Sequence, residues 1–528
     1  MGRIEPFSAE YYEWRLCRRA EKLLCFPRQT ITFKVDADYL SVMSKQEVLT
    51  EAARRNMLLS PEALELIMSN SEPVAFTEIV LKSLAKNTML VTKQDVLNCV
   101  SGDMKIFEAP KEIKPANKFY SDLHIVPDTD ITGNSTCEGT IDDILRFFQS
   151  RYTQMKKIIE RKKGFGLSMP IAKAVDSGRD EVRVVGMISS KRVLDNKSVM
   201  LDIEDDLGGK CSVYIPSDNP WSSAILVEDQ VIGVVGRPRR AEPSKRRRGS
   251  INATEIVFPD VPANNRWQPS DSSSCVAFLS DVHVGSTTFL DKNWHKMIQW
   301  LKENSETINL NYIIFPGDVV DGIGIFPDQE KELTILDIYK QYDALAEYLK
   351  DIPDHIKMVV HPGNHDACRP AEPQPALNKI YTKTFDSNII MCGNPVYVEA
   401  EGRKILTYHG RSIDDWVSGV QQLTYDHPVQ VMEQMVTMRH LAPMYGQKTA
   451  LAPEKKDYLV MDTVPDIFVS GHVHGAGYED YKGVKLINAS TWQTQTEYQK
   501  MHNFNPDPGI MPIVNLGTGR VTMKSFMD

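Results

Sequence analysis

The sequence predicts a multidomain α/β protein that combines a helical module, a small β-barrel and a larger α/β domain. Its 528 residues are too many for one compact core. The spacing of apolar residues is helical in the first part of the chain and strand-like from about Glu181, and it alternates between the two from about Cys275. These changes of period mark the boundaries of the predicted domains.

The composition is typical of a globular protein in a reducing compartment, with 42% hydrophobic and 25% charged residues. No apolar run is long enough to span a bilayer, and the first residues lack the core of a signal peptide. We therefore expect a cytoplasmic protein without membrane contact. The eight cysteines form no CxxC pair, which argues against a disulfide framework and a zinc ribbon. The formal net charge of -9 offers nucleic acid no overall attraction, so such binding requires local basic patches.

Residues 1–178 carry mostly helical and connecting patterns. Residues 1–43 form an N-terminal extension that the pattern does not assign. Residues 44–105 predict a small helical domain, because its amphipathic segments open with Ser or Thr followed three positions later by Glu, Gln or Asp, as in a capping box. This domain either docks other proteins or packs on its own chain. Residues 106–178 predict a loose linker, rich in Pro, Lys, Asp and Thr over 108–136, and then one helix.

Residues 179–262 predict a β-barrel of the OB type. Five short β-branched segments follow one another between Gly, Asp and Pro turns. The sequence DLGG at 206–209 predicts a hairpin turn between the second and third segments. A fragment of a β-sandwich is the alternative. Residues 263–274 predict a linker to the last and largest domain, residues 275–528.

Five apolar strands of the last domain each end in a polar cluster. The clusters contain Asp281 and His283, Asp318 and Asp321, Asn364 and His365, His409, and His472 and His474. Ligands of open α/β sheets gather beyond the carboxyl ends of strands, so the five ends can converge on one cleft. A single histidine of this kind is usually a satisfied core or surface imidazole, but that explanation would have to hold separately at every strand end. We therefore predict a metal site.

The residue types indicate which metals this site binds. Imidazoles, carboxylates and an amide oxygen suit Mn, Fe or Zn rather than a metal that prefers thiolates. Two cations about 3.5–4 Å apart need a bridging carboxylate. Asp318 is the predicted bridge, because the glycine before it lets the backbone approach closely.

The ordered set of motifs DxH, GDxxD, GNHD, HG and GHxH resembles the calcineurin-like metallophosphoesterase superfamily. The resemblance implies a β-sandwich flanked by helices. It also implies two metal positions, one held by Asp281, His283, Asp318 and His474, and the other by Asp318, Asn364, His409 and His472. It further implies that His365 protonates the leaving group and that Asp321 orients His365.

Four stretches that extend beyond the metal motifs narrow the resemblance. They are "DITGNSTCEGTIDDILRFFQSRY" (130–152), "GNHDACRPAEPQPAL" (363–377), "YHGRSIDDW" (408–416) and "NASTWQTQTEYQKMHNFNPDPG" (488–509). These stretches, and the order of helical module, barrel and phosphoesterase domain, are similar to the small subunits of the euryarchaeal family D DNA polymerases. The domain order is also similar to that of the eukaryotic replicative polymerase B-subunits, in which the metal motifs are eroded. Every metal motif is intact in this chain.

The family resemblance implies a reaction and a set of partners. The reaction is 3'→5' exonucleolytic proofreading of single-stranded or mismatched primer ends, with two divalent cations, Mn2+ before Fe or Zn. The partners are the large catalytic polymerase subunit, whose holoenzyme uses Mg2+, primer-template and single-stranded DNA, and a nearby sliding clamp. The alternatives are a structural subunit that mainly holds the large chain, a double-strand-break repair nuclease and a small-molecule phosphodiesterase.

A basic run between the last two barrel segments predicts contact with DNA. It contains Arg237, Arg239, Arg240, Lys245, Arg246, Arg247 and Arg248. In an OB barrel this loop lies near the oligonucleotide groove, where it can track phosphates. The alternatives are a solvated loop, which is what most charge runs are, and a nuclear-import signal.

Overall fold

The computed structural model describes residues 122–241, 248–501 and 504–527, together with parts of 48–96. The extension predicted over 1–43 lies outside the described residues. The chain divides into two compact units, of which one is Cys25–Ala116 and the other combines Met1–Leu24 with Asn117–Asp528. Among the described residues, no helix combines the length and the apolar character needed to cross a membrane.

Strands and helices alternate along the described residues. The strands are β1 (Leu58–Leu59), β2 (Leu90–Val91), β3 (Leu123–Ile125), β4 (Val182–Val193), β5 (Val199–Glu204), β6 (Lys210–Ile215), β7 (Val231–Arg239), β8 (Ser250–Val257), β9 (Cys275–Phe278), β10 (Leu310–Pro316), β11 (Lys357–His361), β12 (Ile389–Met391), β13 (Val396–Ala400), β14 (Arg403–Thr407), β15 (Ile467–Ser470), β16 (Ala476–Tyr481), β17 (Val484–Ala489), β18 (Ile510–Asn515) and β19 (Val521–Ser525). The helices are α1 (Pro61–Met68), α2 (Ile141–Glu160), α3 (Ile171–Asp176), α4 (Asp291–Asn304), α5 (Ile338–Lys350), α6 (Lys379–Thr382), α7 (Ile413–Gly419), α8 (Pro428–Met438) and α9 (Glu497–Met501).

The described parts of the unit Cys25–Ala116 combine helix with a small sheet. Helix α1 buries Ala63 and Ile67 in an apolar core, and β1 pairs in parallel with β2. Asp95 Oδ2 accepts a hydrogen bond from Thr92 N at 2.8 Å, and Asp95 N donates to Thr92 Oγ1 at 3.4 Å, so the predicted capping box is confirmed there. The sheet was not predicted, because strands of two residues are too short to show a period.

Strands β4 to β8 close into a five-stranded barrel. Around the barrel the order is β4-β5-β6-β8-β7, and β7 pairs back onto β4. Strands β6 and β8 run parallel, and the other neighbours are antiparallel. Aliphatic side chains such as Val184, Leu201 and Val213 fill the interior. Each of the five predicted segments forms one strand of this barrel, and its OB type stays a prediction.

The DLGG turn joins β5 to β6, as predicted. Asp205 Oδ1 accepts a hydrogen bond from Gly209 N at 2.7 Å, and Asp205 N donates to Gly209 O at 3.0 Å. Gly208 has a φ of 78°, a conformation that glycine adopts without steric cost.

Helix α2 lies between the barrel and the large domain. Thr140 caps its N-terminus in a capping box. On the barrel side, Tyr152 donates a hydrogen bond of 2.9 Å to Val185 O. On the other side, the buried Arg151 donates to Asp457 Oδ2 at 2.8 Å. The predicted helix is therefore confirmed, and it fixes the barrel to the large domain.

Within the linker predicted over 108–136, Leu123–Ile125 forms strand β3, which was not predicted, and the other described residues are turns and coil. This strand is the edge of a sheet and pairs antiparallel with β13, where Ile125 lies opposite Val398. The residues around β3 are mostly polar and show no strand-like pattern, so the sequence does not predict this strand. Its pairing is decided by a partner far along the chain, which local composition does not reveal.

The large domain contains two six-stranded sheets. The order of the first sheet is β12-β11-β10-β9-β18-β19, in which β9 to β12 run parallel. The order of the second sheet is β16-β17-β15-β14-β13-β3, in which β14, β15 and β17 run parallel. The domain is thus of the predicted α/β class.

Helices and sheets stack in layers around three apolar cores. Between the sheets, side chains such as Phe278 and Val398 share one core. The outer face of the first sheet packs on α4 and α5 through residues such as Trp294. The outer face of the second sheet packs on α7 and α8 through Trp416 and Met432. Of the five strands that end in polar clusters, β9, β10 and β11 belong to the first sheet and β14 and β15 to the second. The predicted cleft therefore lies where both sheets end.

Candidate metal centre

The ends of β9 and β15 bring Asp281, His283 and His474 together. The Nε2 atoms of the two histidines lie 3.1 Å apart. Asp281 Oδ1 lies 3.3 Å from His474 Nε2 and 3.9 Å from His283 Nε2. All three residues are buried. Three possible ligand atoms therefore face one point.

The ends of β10, β14 and β15 form a second group of Asp318, His409 and His472. Asp318 Oδ2 lies 3.2 Å from His409 Nε2, and Asn364 Oδ1 lies 3.0 Å from the same nitrogen. Asp318 Oδ2 is also 4.0 Å from His283 Nε2 of the first group. Asp318 therefore lies between the two groups, at the position predicted for a bridging carboxylate.

The strand ends that carry these residues have an unusual backbone. Left-handed φ angles of 51°, 53°, 49°, 71° and 56° occur at Asp281, His283, Asp318, His472 and His474. Side chains other than glycine rarely adopt this conformation, which costs about 1–3 kcal/mol per residue. The surrounding packing must hold this strain, and strain of this kind clusters at ligand-binding sites.

Glycines let the strand ends approach one another. A Cβ on Gly317 would lie 2.7 Å from His409 Nδ1 and 2.8 Å from Gly363 N. A Cβ on Gly363 would meet the carboxylate of Asp318. Only glycine fits at either position without displacing a site residue. The close approach predicted for the glycine before Asp318 is confirmed.

Hydrogen bonds to the second ring nitrogen orient two of the histidines. His283 Nδ1 donates to Asp321 Oδ1 at 2.9 Å. His409 Nδ1 donates to Pro316 O at 2.9 Å. Contacts of this type fix the tautomer and leave Nε2 for a metal.

The other two histidines are oriented by residues that the metal motifs do not contain. His472 Nε2 lies 3.3 Å from Asp414 Oδ2, and Asp414 Oδ1 accepts a hydrogen bond of 3.0 Å from the Tyr425 hydroxyl. His474 Nδ1 lies 2.9 Å from the side-chain amide of Gln499. Sequence reasoning missed both roles, although the stretches 408–416 and 488–509 that carry the family resemblance contain Asp414 and Gln499.

His365 and Asp321 make a different contact from the predicted one. His365 Nδ1 donates at 2.8 Å to the main-chain oxygen of Asp321, whereas the Asp321 carboxylate accepts from His283. The prediction that the side chain of Asp321 orients His365 is therefore corrected. The physical reason is a backbone bridge between Val284 and Val320, which sets the Asp321 side chain beside His283.

His365 lies against both groups of ligands. Its ring stands edge-on to His283 with the ring centroids 4.7 Å apart. Its main-chain N–H donates at 2.8 Å to Asp318 Oδ1. Burial lowers the pKa of His365, and the negative charge of Asp318 opposes that effect. Because Nδ1 is occupied, Nε2 is the atom available for proton transfer.

Buried charge dominates the electrostatics of the site. Burial alone would lower the pKa of His283, but its contacts with the carboxylates of Asp281 and Asp321 raise it to about 10. Burial would also lower the pKa of His409, but the charge of Asp318 raises it to about 9. The negative charge of the carboxylates therefore stabilises a positive charge beside them, which protonated imidazoles or bound cations can supply.

The donor set fits divalent cations. Asp281 Oδ1 is buried and accepts no well-formed hydrogen bond within the described part of the chain. The Nε2 atoms of His283 and His474 face each other, and only one of them can carry the proton of a hydrogen bond between them. A cation satisfies all three atoms at once. Oxygen and imidazole donors are those that Mn, Fe and Zn accept.

Two further polar residues of the stretch "VVHPGNHD" have structural roles. Asp366 Oδ2 accepts hydrogen bonds from Gly363 N at 2.8 Å and from Val319 N at 3.3 Å, so it caps the turn. His361 is buried at the end of β11, with Nε2 2.8 Å from Thr407 Oγ1. Neither side chain is among the grouped ligand atoms.

The structure describes four of the seven residues of the basic run, which are Arg237, Arg239, Arg240 and Arg248. Arg239 and Arg248 are exposed. They line a cavity of about 550 Å³ on the barrel, called the barrel groove below, together with Arg192, Met200, Asp202, Ser212, Tyr214, Ser250 and Asn252. Arg240 Nη2 instead donates at 3.0 Å to Asp176 O at the end of α3. Lys245, Arg246 and Arg247 lie outside the described residues, and DNA contact stays a prediction.

Comparison with known families and proteins points to replicative polymerases. Residues 276–475 match the family described as the B-subunits of DNA polymerases alpha and epsilon. The DNA polymerase II small subunit of Archaeoglobus fulgidus is 42% identical over 404 residues, which are 75% of this chain and 80% of that one. The corresponding protein of Methanothermobacter thermautotrophicus is 36% identical over 494 residues, or 89% and 98% of the two chains. That of Thermoplasma acidophilum is 38% identical over 489 residues, or 92% and 94%.

The chain belongs to the family of archaeal DNA polymerase II small subunits. This confirms the resemblance to the small subunits of family D. Among solved structures, one from a study titled "Structural and Functional Characterization of a Novel Archaeal Phosphodiesterase" aligns with 47% of this chain and 98% of its own. The TM-score is 0.25 and the sequence identity is 11%, so this alignment by itself indicates nothing about fold or function.

In this member of the DNA polymerase II small-subunit family, the four stretches that extend beyond the metal motifs surround the site. Glu454 accepts a hydrogen bond of 3.0 Å from Thr136 N in the stretch 130–152. Its carboxylate also pairs at 3.0 Å with Arg369 in the stretch 363–377. These two stretches therefore meet beside the GNHD motif, and the other two supply the residues that orient His472 and His474.

Proposed function

We propose that this chain is a two-metal 3'→5' exonuclease that proofreads DNA as the small subunit of a family D DNA polymerase. The observation that carries the proposal is the convergence of carboxylates, imidazoles and one amide, most of them buried, from five strand ends of two sheets. Asp318, within 4.0 Å of ring nitrogens in both groups, supports a binuclear site rather than a single ion. Family membership supports DNA as the substrate.

The residues of each group would hold one cation. Asp281, His283, Asp318 and His474 form the first set, and Asp318, Asn364, His409 and His472 form the second. Bound divalent cations, with Mn2+ first and Fe or Zn as alternatives, supply charge stabilisation for the phosphoryl group and a water activated for attack at neutral pH.

His365 would supply the proton that the leaving group needs. Hydrolysis breaks the bond between phosphorus and the 3' oxygen of the penultimate sugar, and that oxygen takes up a proton as it leaves. The main-chain oxygen of Asp321 holds Nδ1 of His365, so the proton moves from Nε2. The products are a nucleoside 5'-monophosphate and a shortened strand with a free 3' hydroxyl.

The proposed partners follow from the family. We propose a complex with a large catalytic polymerase subunit that uses Mg2+, acting on primer-template and single-stranded DNA near a sliding clamp. We also propose domains at 44–105, 179–262 and 275–528, with an OB-type barrel and a calcineurin-like phosphoesterase domain. The closed barrel and the paired sheets flanked by helices support this layout.

An exonuclease assay tests the proposed function. The full chain, alone and with its large subunit, is freed of metal, reloaded with Mn2+ and given 5'-labelled primers with matched or mismatched 3' ends. We expect stepwise shortening from the 3' end, faster for the mismatch, and none after chelation. Blunt duplex and a cyclic nucleotide serve as competing substrates. Cleavage confined to either of them, or no 3' shortening by the metal-loaded complex, would contradict the proposal.

A further inference from the structure

The outer face of the barrel carries two rows of side chains that the proposed hydrolysis does not use. Strand register aligns the first row, which is Arg192, Met200, Tyr214 and Asn252. The second row is Ser190, Asp202, Ser212, Ser250 and Arg239. Residues between the rows, such as Leu201, Val213 and Ile251, are buried in the barrel core. Because side chains alternate along a strand, both rows face outward.

The barrel groove runs along these rows. Its volume of about 550 Å³ falls within the range of ligand clefts, roughly 300–1,000 Å³. Arg192 lies on β4 at one edge of the rows, and Arg239 lies on β7 at the other, with Tyr214 on β6 between them. Guanidinium groups therefore flank an aromatic ring across the width of the groove.

The charge in the groove is mostly uncompensated. Among the described residues that line it, Asp202 carries the one carboxylate. That carboxylate accepts a hydrogen bond of 2.7 Å from Ser212 and lies 3.4 Å from Arg192. Arg239 and Arg248 are exposed and pair with no carboxylate in the described part of the chain. The groove therefore presents net positive charge to a ligand.

Tyr214 is held in a fixed position. Its hydroxyl lies 2.9 Å from Ser198 Oγ, and Met200 is its neighbour across the strand pair. The ring is half-buried. A ring anchored through its edge keeps a face for stacking, and stacking on aromatic side chains is how proteins hold unpaired bases of any sequence.

We propose that the barrel groove binds single-stranded DNA, with Arg192, Arg239 and Arg248 on backbone phosphates and Tyr214 under a base. Repeating phosphates meet the arginines on the two edges, and planar bases meet the ring between them. An acidic polypeptide would meet the charge but would leave the ring unused. The inference rests on the proposed function only for the choice of DNA as ligand, since binding requires neither metal nor hydrolysis.

Fluorescence anisotropy tests the groove without catalysis. The full chain is titrated with a labelled oligothymidylate in chelator, so no cleavage occurs. We expect the double variant Arg192→Ala/Arg248→Ala to weaken binding and to reduce the slope of log affinity against log salt by about 1.4, since each phosphate contact on a single strand contributes about 0.7. Tyr214→Leu should weaken binding roughly tenfold, and Tyr214→Phe should leave it nearly unchanged because the ring remains.

A matched control removes the same charge elsewhere. Arg161→Ala/Arg183→Ala takes two exposed cations from the end of α2 and from the start of β4, away from the groove. This variant should keep the affinity and most of the salt slope. Thermal unfolding of every variant checks that the barrel remains folded.

Three outcomes would overturn the proposal. They are an equal loss in the control and groove variants, no loss in either, and displacement of the oligonucleotide by polyglutamate as effectively as by unlabelled oligothymidylate at one ionic strength. The last outcome would assign the groove to acidic polypeptides. A loss confined to the groove variants would support the proposal even in a protein without exonuclease activity, so the two proposals fail separately.

Discussion

The metal centre and the barrel groove use charged side chains in opposite ways. In the metal centre, His283 and Asp318 are 1% and 2% exposed, and their strand ends have strained backbone. In the barrel groove, the side chain of Arg192 is 64% exposed and projects from strand β4. One region fixes every ligand atom, whereas the other leaves its charged groups free to adjust.

The difference follows from the ligands proposed for the two regions. A divalent cation needs ligand atoms fixed within a few tenths of an ångström, and burial with strained backbone is how a fold provides that. A flexible polyanion needs positive charge along its path rather than fixed distances. A single substitution should therefore cause a large loss of metal binding or exonuclease rate in the metal centre, but only a small loss of DNA affinity in the groove.

Replacing the carboxylate between the two groups should have the largest effect. Asp318→Ala removes an oxygen that lies within reach of ring nitrogens in both groups. We expect both metal positions to empty and 3' shortening of primers to fall below detection. Metal analysis of the purified variant measures this, with the exposed Asp195→Ala as control. Two occupied positions in the variant would refute the bridging role. Intact assembly with the large subunit would show that a scaffolding role survives metal loss.

Removing the proposed proton donor should separate chemistry from metal binding. His365→Ala deletes the imidazole but keeps the main-chain N–H that donates to Asp318. We expect both metals to stay and the rate to fall about 10²–10⁴-fold, the usual contribution of a general acid. Single-turnover exonuclease rates measure it. The exposed helical His295→Ala is the matched control. A normal rate with full metal content would exclude His365 from proton transfer.

Replacing Asp414 should have a smaller effect, which is confined to the second metal position. Asp414→Asn removes the charge beside His472 without touching the first group. We expect metal affinity at the second position to fall about 10–100-fold, the range for partners that orient metal ligands. Calorimetric titration with Mn2+ resolves the two positions. Tyr425→Phe, which removes only one hydrogen bond to Asp414, should give a smaller loss. Equal weakening at both positions would contradict this role.

Salt should produce the smallest effect, and only in the groove. If three arginines contact phosphates of a single strand, doubling the salt concentration weakens oligonucleotide binding about fourfold. Metal content should not change, because the ligands are buried and poorly screened. Anisotropy and metal analysis on the same samples compare the two regions. Metal loss that parallels the loss of DNA would remove the distinction between them.

The sequence predicted which residues converge at the candidate metal centre, for a local reason. An apolar strand that ends in Asp, His or Asn beside a glycine is visible in a short window, and Gly317 and Gly363 do admit the close approaches that the site needs. The five barrel strands were also visible in short windows, since each is a β-branched segment bounded by Gly, Asp or Pro turns. Strand β3 was not visible, because three residues of mixed polarity form a strand only when β13 lies beside them.

By itself the chain's sequence determined which residue types stand at the ends of five strands, where the barrel segments lie and which family the chain belongs to. Only the tertiary structure decided that those ends come from two sheets, that the Asp321 carboxylate orients His283, and that Asp414 and Gln499 reach the last two histidines. The reason is physical. The formation of a strongly apolar strand and the conformation of a glycine depend mainly on residues nearby in the sequence. Sheet packing determines which side chain orients a histidine, and it joins residues far apart in the chain.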